Sequence, residues 1–233
     1  MSLELVYIHF PKAAGTSLIC DLRAHYGDTL LADYTHLPPL DWSHDPAYVP
    51  DGVRAVCGHF HADRYVGHGS PLRFTFLREP VDNLISIYYF WRNFPPSGYP
   101  AHERFLRENP SIAEFATYPE LRQLASAAYF GGVDLTSLDF VGFYEQRAVG
   151  MTLLSSMLGI PLRADVYLNR TLSVFDDERN QLKSDSRAMA RLRDMLADDV
   201  AFYERAWERF SLAITASAGV TGAQTPSPRQ AWQ

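Results

Sequence analysis

The segment Phe10-Pro11-Lys12-Ala13-Ala14-Gly15-Thr16-Ser17 lies between an apolar run and a helix-forming one. A loop leading into a helix start suits an anion. The first helical N–H groups lack intrahelical partners, and the helix dipole adds partial positive charge there. Ala13, Ala14 and Gly15 are small enough for an oxyanion to approach the backbone. Thr16 and Ser17 add hydroxyl donors and Lys12 a full positive charge, so the segment fits a phosphate or a sulfonate. A second segment, Arg78-Glu79-Pro80 through Ser86 and Tyr88, is built the same way. Arg78 offers a phosphate a planar two-pronged fork. Ser86 lies off the apolar stripe of Val81, Leu84, Ile85 and Tyr88, which leaves its hydroxyl for a ligand. Between the two stands Cys57-Gly58-His59-Phe60-His61. An imidazole with a pKa near 6.5 is suited to taking a proton from an alcohol.

Each segment has a plainer reading. The first is a well-capped helix start. Arg78 pairs with Glu79 or Asp82 as a structural ion pair. His59 is a satisfied core histidine, or it joins His61 and His68 or Asp63 in a zinc site, for which the spacing is loose and no cysteine pair stands by. His9 is a rival base, although its place in the first strand suits it better to positioning the loop. The first segment is not a Walker A loop, which needs two glycines flanking four residues and a lysine next to Ser or Thr. Here the lysine precedes the small residues. The apolar run 72–77 ends in Arg78, where an ATPase places a magnesium-binding acid.

These groups need elements to hold them. Apolar runs predict strands over 4–10, 53–59, 72–77 and 139–144. Periodicity predicts helices over 16–26, from Pro80 at a first-turn position to about Arg92, over 101–108, 111–117, 119–129 and 145–158, and over 187–210 with a break near Asp198-Asp199. Residues 36–52 read as loop. Strands alternating with helices predict an α/β fold with a mainly parallel central sheet flanked by helices. In such sheets ligands sit outside the carboxyl ends of the strands. No internal linker interrupts the chain, so 1–214 is expected to be a single domain and 215–233, rich in Ala, Gly, Thr, Ser and Pro, a disordered tail.

Composition narrows the partners. Apolar residues are 47% and charged residues 21%, which excludes a wholly disordered or fibrous chain. The net charge of −6 argues against nucleic acid as partner. Of 21 basic residues only Lys12 and Lys183 are lysines. Two cysteines, Cys20 and Cys57, make no disulfide framework. No run approaches the ~18 apolar residues of a membrane span, and no secretory signal is visible. A cytoplasmic protein is expected.

Together the motifs resemble the sulfotransferases that use 3′-phosphoadenosine 5′-phosphosulfate (PAPS). Phe-Pro-Lys-Ala-Ala-Gly-Thr-Ser is similar to their 5′-phosphosulfate loop. Arg78 through Ser86 and Tyr88 is similar to their 3′-phosphate motif. The aromatic run Tyr88-Tyr89-Phe90-Trp91-Arg92 resembles the carbohydrate branch typified by heparan sulfate 2-O-sulfotransferase. The resemblance implies a P-loop-like three-layer fold, PAPS as sulfonate donor, no metal, and a small-molecule, glycan or glycolipid acceptor. It assigns the general base to His59, because relatives carry a Gly-His there, and donor binding to Lys12, Ala13, Ala14, Gly15, Thr16, Ser17, Arg78 and Ser86. Leu168-Asn169-Arg170-Thr171 resembles a loop that closes over the nucleotide, which adds Arg170 and Thr171; an exposed turn is the alternative. Asn83 departs from the family, which often has Arg there. The rival functions are a P-loop-like nucleotide kinase or ATPase, and a nucleotide- or glycan-binding module without chemistry.

Overall fold

The computed structural model describes residues 2–13, 15–34, 37–39, 47–163 and 173–217, without the side chains of 213 and 215–217. Ala14, Arg170, Thr171 and residues 218–233 lie outside the described residues.

Leu5-Val6-Tyr7-Ile8 has no polar side to show water, and all four residues are buried as β1 (Leu5–Ile8). A strand covered on both faces belongs at the centre of a parallel sheet. Beside it run β2 (Leu30–Asp33), β3 (Ala55–Gly58), β4 (Leu72–Leu77) and β5 (Phe140–Phe143), in the order β2-β3-β1-β4-β5. Every pairing is parallel. Flanking helices complete an α/β fold: α1 (Gly15–Tyr26), α2 (Pro80–Asn93), α3 (Pro100–Glu108), α4 (Ile112–Phe115), α5 (Pro119–Arg122), α6 (Arg147–Leu158), α7 (Asp176–Ser184), α8 (Ser186–Met195) and α9 (Ala197–Ser217). Among the described residues no helix is long and apolar enough to cross a membrane.

Strand register sets the site. Ile8 pairs with Gly58 on one side and Thr75 on the other, so β3 and β1 end level and β4 runs two residues further, to Leu77. His9 N–H donates to the Gly58 carbonyl at 2.9 Å and His59 N–H to the Asp33 carbonyl at 2.8 Å. A Cβ on Gly58 would stand 1.9 Å from the Asp33 oxygen, so only glycine lets β2 and β3 close there. Thr75 Oγ1 donates to the Ile8 carbonyl at 2.9 Å. The three segments singled out above therefore leave adjacent strand ends at the point where the chain order turns both ways from β1, the usual ligand crevice.

Four expectations are corrected. Strand β2 falls where none was expected, because Leu30-Leu31-Ala32-Asp33 is short, half-buried and lacks β-branched residues. Helix α7 has no buried residue and hence no apolar stripe to read. The helix expected over 119–129 is two pieces, α5 and a π-helix over Leu124–Tyr129. The break expected near Asp198 falls at Leu196, and α9 runs on through Ser217, beyond the boundary at 214.

Candidate active site

Helix α1 begins at Gly15, and Pro11-Lys12-Ala13 turn ahead of it. The glycine is forced: a Cβ there would lie 1.6 Å from His9 Nε2. His9 thus packs against the helix start and, through Nδ1, against the Tyr34 hydroxyl at 2.9 Å. It is held neutral, its pKa pushed well below the ordinary value by burial, then by His59 and Lys12.

Lys12 adopts φ 57°, the left-handed region that disfavours residues other than glycine. Two hydrogen bonds from the second segment hold it there. Arg78 Nη1 donates to the Lys12 carbonyl at 3.0 Å, and Asn83 Nδ2 donates to the Pro11 carbonyl at 2.7 Å. The Lys12 ammonium lies 4.3 Å from the centroid of the Phe90 ring. Burial, with Arg78 nearby, pulls its pKa down to about 8. Ala13 is fully buried. Ser17 is buried too, and its hydroxyl accepts from Arg147 Nη2 at 2.8 Å.

Arg78 lies 4.1 Å from the centroid of the Tyr144 ring, and its Nε is buried with no hydrogen-bond partner among the described residues. A structural ion pair with Glu79 or Asp82 is not what forms. Glu79 meets Arg193 at 3.3 Å and Asp82 meets Lys183 at 2.7 Å. Glu79 caps α2 by accepting from Asp82 N–H at 2.8 Å, and burial raises its pKa to about 7. Ser86 departs from expectation. Pro80 through Tyr89 are all buried, so α2 has no polar face for Ser86 to stand on, and its hydroxyl lies in the interior.

His59 follows β3. Its ring centroid lies 4.9 Å from that of His9 and 4.9 Å from Tyr34, edge-on. Nε2 is buried without a hydrogen-bond partner among the described residues. Burial, only partly offset by Asp33, lowers the pKa to about 4, so the ring is neutral at pH 7. His61 is differently placed: Nδ1 accepts from Asp63 N–H at 3.3 Å and Nε2 lies 3.0 Å from the Gly131 carbonyl. Both its nitrogens are occupied, and no group of three or more metal-ligating side chains comes together among the described residues. The turn before α1 is thus bonded to Arg78 and Asn83, and the unprotonated His59 ring packs on His9, which lies against the start of α1.

No protein-family model matches the chain, and no curated protein does. Among solved structures it is similar to mouse sulfotransferase SULT7A1 complexed with PAP, with 13% identity and a TM-score of 0.35. The match covers 77% of this chain and 63% of that one, so the chain spans less than two thirds of that enzyme's length.

Several neighbours of the site were not singled out in the sequence. Arg147 opens α6 and is buried against Ser17. A cation in a helix's first turn opposes the dipole, which was a signal that something else holds it. Tyr144, Tyr34 and Tyr129 reach Arg78 and His59 only through the fold.

Proposed function

We propose that the chain is a sulfotransferase that moves a sulfonate from PAPS to a hydroxyl of a carbohydrate or glycolipid acceptor. One observation carries this: the lysine loop and the Arg78 segment are hydrogen-bonded into a single cradle, and an unpartnered neutral imidazole lies beside it. A bisphosphate with a sulfonate matches that donor set. The unpartnered Arg78 Nε calls for an acceptor, since a buried donor left unsatisfied costs about 1–3 kcal/mol.

PAPS, when bound, supplies the sulfonate: a sulfur–oxygen bond forms to the acceptor as the bond from sulfur to the bridging phosphate oxygen breaks, that oxygen keeping the electron pair. The α1 amides and Thr16 hold the 5′ end, with Ser17 beneath them. Lys12 offsets the charge that gathers on the departing oxygen. Arg78, with Arg170 and Thr171, holds the 3′-phosphate. His59 Nε2 takes the acceptor proton. Positioning and electrostatics do most of the work, and no step in the scheme calls for a metal ion.

The test is a thermal shift with 3′-phosphoadenosine 5′-phosphate (PAP) against ATP–magnesium, followed by transfer from labelled PAPS to sugar and lipid acceptors. PAP at ~100 times its Kd adds about 2.7 kcal/mol. Stabilisation by ATP–magnesium alone overturns the assignment in favour of phosphoryl transfer.

A further inference from the structure

The π-helix at Leu124–Tyr129 is pinned at both ends. At its start, the Asp199 carboxylate of α9 accepts from Ala125 N–H at 3.0 Å, Ser126 N–H at 2.8 Å and the Ser126 hydroxyl at 2.5 Å. At its end, Ala62 N–H donates to the Tyr129 carbonyl at 2.8 Å and His61 lies against the Gly131 carbonyl. The second pair of contacts comes from the segment that carries His59. π-Turns recur at functional sites because the extra residue re-aims a side chain. The side chain delivered here is Tyr129. Its ring meets His59 edge-on at 6.4 Å and Phe10 at 5.2 Å. It is fully buried, and its hydroxyl has no hydrogen-bond partner among the described residues. Two neighbouring rings, Tyr129 and His59, thus each bury a polar atom without a partner, where buried polar atoms are ordinarily satisfied.

We infer that Tyr129 is an acceptor-binding residue, its hydroxyl and His59 Nε2 together receiving one acceptor hydroxyl. The inference rests on the sulfotransferase assignment and names the acceptor chemistry. The acceptor O–H donates to Nε2. One oxygen lone pair faces sulfur, and the other accepts from the Tyr129 O–H. Burial raises the phenol's pKa well above its ordinary value, so it stays a donor. An amine has a single lone pair and cannot satisfy both demands, so the site selects alcohols over amines. Both atoms are shut off from bulk solvent, so the acceptor enters by displacing a wall.

The test compares wild type with Tyr129→Phe, which keeps the ring. PAP affinity, melting temperature and sulfonate release from labelled PAPS are measured, with octyl glucoside as alcohol, octylamine as amine, and water as acceptor when neither is added. The expected result is unchanged PAP affinity, an unchanged or raised melting temperature because an unsatisfied buried hydroxyl is gone, and transfer to octyl glucoside and water lower by about tenfold, the scale of one hydrogen bond at a reacting oxygen. Octylamine is not sulfonated by wild type. Transfer within twofold of wild type overturns the inference. So does a fall in melting temperature with a parallel loss of PAP binding, which marks a structural hydroxyl. A wild type that binds PAP yet sulfonates neither octyl glucoside nor water also overturns it. Failure of wild type to bind PAP instead removes the sulfotransferase assignment itself.

Discussion

Lys12 combines a costly backbone with a weakened charge. A non-glycine residue in the left-handed region costs about 1–2 kcal/mol, and burial brings the ammonium's pKa to about 8. Both are tolerable where the residue must face a departing anion. The proton inventory then fixes a pH profile. His59 must be neutral, which holds above about 4, and Lys12 must be charged, which holds below about 8. Transfer from labelled PAPS is expected to be flat between these values and to fall on either side. Lys12→Arg should move the alkaline limb upward, and an unmoved limb would take Lys12 out of the chemistry. His59→Ala should abolish turnover while PAP still raises the melting temperature nearly as in wild type. Near-normal transfer by that variant would remove His59 as the base.

At the scale of elements, the turn at Pro11-Lys12 and the segment from Arg78 to Asn83 behave as one part. Asn83 donates to the Pro11 carbonyl and ties α2 to the loop. Asn83→Ala leaves that buried carbonyl without its donor. A loss of about 1–3 kcal/mol in urea unfolding is expected, with weaker PAP binding in titration calorimetry. Gly15→Ala drives a methyl into the His9 ring and should cost about 1–3 kcal/mol or more. Unchanged stability in that variant would mean that the ring can move aside. The strands β1 and β4 and helix α2 were legible in the sequence because their residues carry strong apolar runs and a first-turn proline. So were Lys12 and Arg78, which stand just after those strands, and His59, which follows the weaker run of β3. What could not be read was whatever depends on the third dimension. Asn83 bonds a residue far away in the chain, α7 buries nothing, and the π-turn that brings Tyr129 to His59 has no periodicity of its own.

Across the whole molecule, the C-terminal helices clamp α2 through charge. Lys183 of α7 meets Asp82, Glu178 of α7 meets Arg92 at 2.7 Å, and Arg193 of α8 meets Glu79. Glu79 is the buried member of this set. Its Oε2 caps Asp82 N–H, and Glu145 accepts from its backbone N–H at 3.0 Å and from the Tyr203 hydroxyl at 2.8 Å. Its folded pKa, raised from 4.5 to about 7, means that the native state holds a proton there which the unfolded chain releases. This contribution to stability is full below about 4.5 and is lost as pH rises through 7, on the order of 3 kcal/mol. Glu79→Gln keeps the cap and removes the titration. Unfolding free energies measured from pH 4.5 to 7.5 should therefore decline less in the variant than in wild type. Identical slopes would show that Glu79 is ionised throughout.

The bond from Arg78 to the Lys12 carbonyl bears on any attempt to retrain the protein for a different donor. One arm of the guanidinium already steadies the turn beneath the ammonium, so changing residue 78 to suit a new nucleotide would also loosen the lysine. Libraries that vary position 78 alone should mostly return inactive clones. Useful variants should emerge when positions 11, 12, 78 and 83 are randomised together.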